Sequence, residues 1–327
     1  MQFLICAALI GASGFWLAHY GDAIAEKTRL GGTWIGVILV ATVTSLPELA
    51  TGISSVTVAD APDIAVGDVL GSCVFNLLLI AMLDFLHRET PLYLRASQAH
   101  ILSAGFSVIL IGLATYSLLS ADPLTLRLGH VGIYTPAIII LYLIAVRTIY
   151  AHERKHVAEL PDAANHAGIT LRQAVIRYAA AAAVVVAAGI AMPFTAVNLA
   201  SVMGWGQSFV GTLLVAAATS LPEAASTLGA LRAGAIDLAI GNLFGSNLFN
   251  ILILAIDDLA YGKGPLLWSI SPSHAVSGVA SIIMTGAAIV GLFYRPTNRV
   301  FKIAGWVSLA IVLTYVLNSL VLYLRAH

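Results

Sequence analysis

One pentapeptide occurs twice in this chain. Thr44-Ser45-Leu46-Pro47-Glu48 is repeated without change as Thr219-Ser220-Leu221-Pro222-Glu223. Each copy sits inside a long apolar run, where a helix breaker and a carboxylate are hard to accommodate. A carboxylate at mid-bilayer costs about 2.5–3.5 kcal/mol on insertion scales, so an acid placed there points to function. Proline removes a backbone donor and frees a carbonyl. Two such breaks in corresponding parts of a membrane chain point to a binding site near the midplane.

The surrounding sequence supports a membrane setting. Of 327 residues, 59% are hydrophobic and 10% charged, against about 25% charged in a soluble domain. The apolar runs are near 20 residues long, which predicts helices rather than a barrel. The formal net charge is zero, so no nucleic-acid footprint is present. Cys6 and Cys73 lie in apolar runs and form neither a disulfide framework nor a zinc spacing. The first run lacks a preceding basic residue and a clear cleavage site, and reads as a span rather than a signal peptide.

Hydropathy predicts ten spans, near 2–20, 33–57, 63–83, 97–119, 129–149, 174–194, 207–230, 236–256, 273–293 and 301–324. The hydrophilic connector 150–173 divides them five and five, giving a first repeat over 1–149 and a second over 174–327. With the N-terminus outside, thirteen Lys and Arg fall on inner segments. Only Arg127, Lys263 and Arg325 fall outside, so both termini are expected outside.

The halves match beyond the pentapeptide. Asp63-Ile-Ala-Val-Gly-Asp-Val-Leu-Gly-Ser-Cys-Val-Phe-Asn76 aligns with Asp237-Leu-Ala-Ile-Gly-Asn-Leu-Phe-Gly-Ser-Asn-Leu-Phe-Asn250. A unit of five spans is odd, so its second copy enters from the opposite side. The expected architecture is all-α and polytopic: ten transmembrane helices in two inverted five-helix repeats.

Thr44, Ser45 and Glu48 fall within one helical turn, as do Thr219, Ser220 and Glu223. Carboxylates, hydroxyls and freed carbonyls are oxygen donors, suited to calcium and to sodium. No His or Cys joins the set, which argues against zinc or copper. A single copy would read equally well as a helix kink; two copies at inverted positions favour a binding centre. Ser72 and Asn76, like Ser246 and Asn250, are spaced i, i+4 and share a helix face, either as ligands or as interhelical glue. Gly67, Gly71, Gly241 and Gly245 make small-xxx-small pairs that permit close helix contact.

These paired motifs resemble the two alpha repeats of the sodium/calcium exchanger family, within the cation/calcium antiporters, and the resemblance covers essentially the whole chain. It implies that Glu48 and Glu223 are central calcium ligands shared with sodium. Thr44, Ser45, Thr219 and Ser220 would supply hydroxyl or carbonyl oxygens. Ser72 and Ser246 would line outer and inner sodium sites, and Asn76 and Asn250 would complete the central cluster. Ala41 and Ala216 match positions whose carbonyls help bind sodium. Asn250 stands where some potassium-dependent relatives carry an acid, which disfavours potassium co-transport. Asp68 stands where the other half has Asn242, and reads either as an extra acid in the outer access path or as an interfacial carboxylate.

The remaining polar residues carry less. His152 and His156 are spaced i, i+4 in a charged segment and read as a solvated face. Asp22, Asp84, Asp257 and Asp258 lie at predicted span ends and are expected at the interface. Trp16, Trp34, Trp268 and Trp306 read as interfacial anchors or packing. The connector is too short for a regulatory calcium domain and has no EF-hand pattern.

The expected activity is sodium-for-calcium exchange by alternating access, with a proton/divalent-cation exchanger as the alternative. A cation channel is disfavoured by the inverted halves and the missing filter motif. An enzyme is disfavoured by the absence of Ser/His, Asp/Asp or HExxH pairings within the spans. Calcium and sodium are cargo, not cofactors. The expected surroundings are the lipid bilayer, with no obligatory protein partner, in a prokaryotic inner membrane.

Overall fold

The computed structural model describes residues 1–28, 41–87, 90–120, 127–153, 168–300 and 304–326. The helices long and apolar enough to cross a membrane are α1 (Gln2–Lys27), α3 (Pro62–Leu86), α4 (His100–Leu119), α5 (Tyr134–Glu153), α6 (Leu171–Met203), α9 (Ile236–Ala260), α10 (His274–Tyr294) and α11 (Trp306–Arg325). The shorter helices are α2 (Leu46–Thr57), α7 (207–219) and α8 (Leu221–Arg232). Among the described residues there are thus eight candidate spans, or nine when α7 and α8 count as one span bent by 44°. The chain is an integral membrane protein. The expected span 33–57 lies partly outside the described residues, as do Trp34, His156 and most of the connector.

The two repeated motifs break their helices in the same way. Ser45 precedes α2 with φ −87° and ψ 14°, and Ser220 precedes α8 with φ −82° and ψ 9°. Pro47 and Pro222 fall in the first turn of the new helix. A missing N–H is harmless there, because that turn has no intrahelical partner for it. Glu48 and Glu223 also sit in that first turn, where the positive end of the helix dipole favours a carboxylate.

Helices α3 and α9 form the middle of the molecule: 72% of each span is buried, against 28% for α1, α5 and α11. Glycines allow the close approach that the sequence predicts. A Cβ at Gly67 would press on the Gly211 and Thr212 backbone of α7, and one at Gly71 would collide with the Thr212 carbonyl oxygen. That stretch of α7, Val210–Val215, is wound as a π-helix. Helices α1 and α6 pack together on the other side of the two broken segments. A Cβ at Gly14 would run into the Pro222 ring, and one at Gly189 would crowd Ala50 and the Pro47 carbonyl.

Four aspartates fasten the connections, in matched pairs. Asp63 Oδ1 accepts bonds from Ser271 N at 2.8 Å and contacts His274 Nε2 at 2.9 Å. Asp237 Oδ1 does the same with Ser97 N at 2.7 Å and His100 Nε2 at 3.0 Å. Each acid therefore ties its own half to the connection of the other half.

The second pair corrects the interfacial expectation. Asp84 and Asp258 are fully buried. Asp84 accepts from Leu92 N at 2.9 Å, Gly305 N at 2.9 Å and the Ser308 hydroxyl at 2.7 Å. Asp258 accepts from Leu266 N at 2.6 Å, Gly132 N at 3.0 Å, Tyr134 Oη at 2.6 Å and the Thr135 hydroxyl at 2.5 Å. Gly132 and Gly305 belong to two short antiparallel hairpins, β1–β2 (Arg127–Leu128, Val131–Gly132) and β3–β4 (Arg299–Val300, Ala304–Gly305), which lead into α5 and α11. The chain folds back over the span ends, so the acids meet amides and hydroxyls instead of headgroups.

Candidate functional site

The two broken helices bring their motifs face to face. Ser45 Oγ donates to Glu223 Oε1 at 2.9 Å, and Ser220 Oγ donates to Glu48 Oε1 at 3.1 Å. The acid of each copy is thus held by the serine of the other. Neighbouring helices complete the clasp. Ser72 Oγ of α3 lies 3.4 Å from Glu48 Oε1 and 3.0 Å from Ser220 Oγ. Ser246 Oγ of α9 lies 3.4 Å from Glu223 Oε1. Glu48, Glu223, Ser45, Ser220, Ser72 and Ser246 are all fully buried.

The threonines act on the backbone. Thr44 Oγ1 donates to the Ala41 carbonyl at 3.2 Å, and Thr219 Oγ1 reaches the Ala216 carbonyl at 3.2 Å. Ala41 and Ala216 are therefore at the break, with carbonyls already in contact with a hydroxyl. Thr219 Oγ1 also lies 2.7 Å from Asp68 Oδ1. Asp68 is fully buried, so it belongs with the motif of the second half and not at the interface.

The amides are less evenly satisfied. Asn76 Nδ2 donates to Asn247 Oδ1 at 3.0 Å, and Asn247 Nδ2 to the Cys73 carbonyl at 3.3 Å. Asn250 is buried with neither side-chain atom hydrogen-bonded. Asn247 is a residue that sequence reasoning missed. Its signal was available: it occupies the position matched to Cys73 in the second Gly-Ser motif.

The unpartnered oxygens give the site its chemistry. Glu48 Oε2, Glu223 Oε2, Asp68 Oδ2, Asn76 Oδ1 and Asn250 Oδ1 are buried without a hydrogen-bond partner. Buried polar groups are normally satisfied, so such a set requires a reason. Among the described residues no Lys or Arg is buried to balance these acids. Nor do three or more His, Cys, Asp or Glu gather into a metal-binding group. The donors are carboxylates with hydroxyls and amides, an oxygen set that suits a hard cation. Asp257 is a further correction: it too is fully buried, rather than interfacial, and both its oxygens lack partners.

Comparison with known proteins places these features in context. The family described as sodium/calcium exchanger protein matches residues 1–151 and 173–324. The chain is 28% identical over 299 residues to the inner membrane protein YrbG of Escherichia coli K12, covering 79% of this chain and 84% of the relative. Among solved structures, the H+/Ca2+ exchanger CAX superposes with a TM-score of 0.71 at 14% identity, covering 99% of this chain and 85% of that one. The sodium-calcium exchanger NCX_Mj superposes with a TM-score of 0.63 at 20% identity, covering 97% and 95%. At these identities the structural likenesses establish a shared fold.

Proposed function

The chain belongs to the sodium/calcium exchanger protein family, and from that premise we propose that it is a secondary antiporter exchanging sodium for calcium around one centre shared by Glu48 and Glu223. The carrying observation is the crossed clasp, Ser45 to Glu223 and Ser220 to Glu48, which leaves one oxygen of each glutamate without a partner. A divalent ion neutralises both acids at once, and sodium ions do so stepwise. Thr44, Thr219, Ser72, Ser246, Asn76, Asn250, Asp68 and the carbonyls of Ala41 and Ala216 supply the remaining oxygens.

In this reading ten helices form two inverted five-helix halves, 1–149 and 174–327, joined by an inner connector over 150–173. Helices α1 and α6 slide across the two broken segments to open one side at a time. The glycine contacts Gly14–Pro222 and Gly189–Pro47 support that role, because they bring the backbones of α1 and α6 directly against the two breaks. The setting is an inner membrane with both termini on the outer side.

A proton/calcium exchanger is the second reading. Unpartnered carboxylate oxygens favour it, because they can take protons as well as sodium, and a neighbour of the same fold is an H+/Ca2+ exchanger. Calcium-45 uptake into proteoliposomes, with sodium, potassium and proton gradients imposed separately, tests the assignment. Uptake driven by sodium alone is expected. Uptake driven by a pH gradient and indifferent to sodium replaces the first reading by the second.

A further inference from the structure

The two halves differ in how they treat the space one helical turn beyond each central glutamate. In the second half, Thr227 and its neighbour Ser226 accept hydrogen bonds from Asn242 Nδ2, at 3.4 and 2.9 Å. The position matched to Thr227 is Gly52, four residues after Glu48 on α2. A Cβ at Gly52 would collide with both carboxylate oxygens of Asp257, which comes from the far end of α9. The glycine is therefore what admits the acid.

Asp257 is fully buried and neither oxygen has a hydrogen-bond partner. Ser55, three residues after Gly52 and so on the same face of α2, is fully buried with an unpartnered hydroxyl. Asp68 Oδ2 is likewise unpartnered. The matched positions of the other half are all uncharged: Leu83 for Asp257, Asn242 for Asp68 and Ala230 for Ser55. The extra acids thus lie on one side of the centre only. That side is identified by the ion pair between Lys263 and Asp60 at 2.6 Å, which joins the connection after α9 to the connection between α2 and α3.

Buried acids without donors or a buried cation are poorly tolerated unless something positive joins them. Carboxylate and hydroxyl oxygens without nitrogen or sulfur select a hard cation. We propose that Asp257, with Ser55, forms a second, one-sided station for a hard divalent cation, between Glu48 and the membrane face where α2 ends. The station rests on the reading of the centre as a cation site and extends it: one access route carries a staging site and the other does not.

Calcium-45 equilibrium binding to the purified full-length chain in detergent tests this. Wild type is expected to show two classes of calcium site. Asp257→Asn should lose one class, and Gly52→Ala, whose methyl fills the slot, should lose the same one. Glu48→Gln should lose the other. Ser55→Ala, a mild truncation that keeps the fold if Asp257→Asn does not, should weaken the Asp257 class several-fold. Asp257→Asn and Ser55→Ala proteins that bind calcium as wild type does overturn the proposal. So does an Asp257→Asn protein that changes only the proton release accompanying binding. If Asp257→Asn loses its class while wild type shows no gradient-driven flux, the station stands and the exchange reading falls.

Discussion

Ser45 donates to Glu223 across 2.9 Å, and the reverse bond, Ser220 to Glu48, spans 3.1 Å. Each serine precedes a proline-started helix, and each glutamate lies in the first turn of the helix that follows the other break. The bond therefore couples the two breaks as well as orienting the acids. Groups that orient a cation ligand typically matter by about 10–100-fold in affinity. Ser45→Ala and Ser220→Ala are each expected to weaken calcium binding by about that factor, and by similar amounts. Calcium titration of the purified variants measures both.

Asp84 and Asp258 carry a different prediction. Each holds a hairpin and a helix start through several short bonds, and hydrogen bonds to a charged group contribute about 1.5–3 kcal/mol each. Asp84→Ala and Asp258→Ala are expected to lower stability by about 3 kcal/mol or more, read as a fall in the thermal midpoint in detergent. Calcium affinity of the central class of site, in the protein that remains folded, should be unchanged, because neither acid touches the central clasp.

Close helix contact predicts a third effect. A methyl at Gly71 has to displace the Thr212 carbonyl or the Ala216 side chain, and overpacking of this kind costs about 1–3 kcal/mol. Gly71→Ala is expected to destabilise the protein by that amount. Gly14→Ala meets the Pro222 ring instead, on the surface across which α1 is proposed to slide. It is expected to slow exchange while calcium affinity is kept, as measured by initial uptake rate against binding on the same preparation.

Much of the site was legible in the sequence because it was written twice. The repeated pentapeptide and the Gly-Ser-x-x-Phe-Asn segments named the four elements that meet at the centre, and periodicity placed Ser72 with Asn76 and Ser246 with Asn250 on shared faces. The pattern did not reveal which residue would hold which. The crossed serine–glutamate bonds depend on how two breaks dock, and no local signal encodes that. Asp84, Asp257 and Asp258 were misplaced for a definite reason. Hydropathy treats a span end as the membrane surface, but here the chain returns over Asp84 and Asp258, and Asp257 is buried against Gly52 of α2. Asn247 is legible only as a departure from the repeat, an amide where the first copy has Cys73, and a reading of shared residues passes over it.

The most direct measurement is calcium-45 uptake by proteoliposomes loaded with sodium and diluted into sodium-free medium, comparing wild type with Glu48→Gln and Glu223→Gln. The account predicts rapid uptake for wild type and, for each variant, a rate no greater than that of empty liposomes. Wild-type uptake retained in either variant would contradict a centre that both glutamates must share.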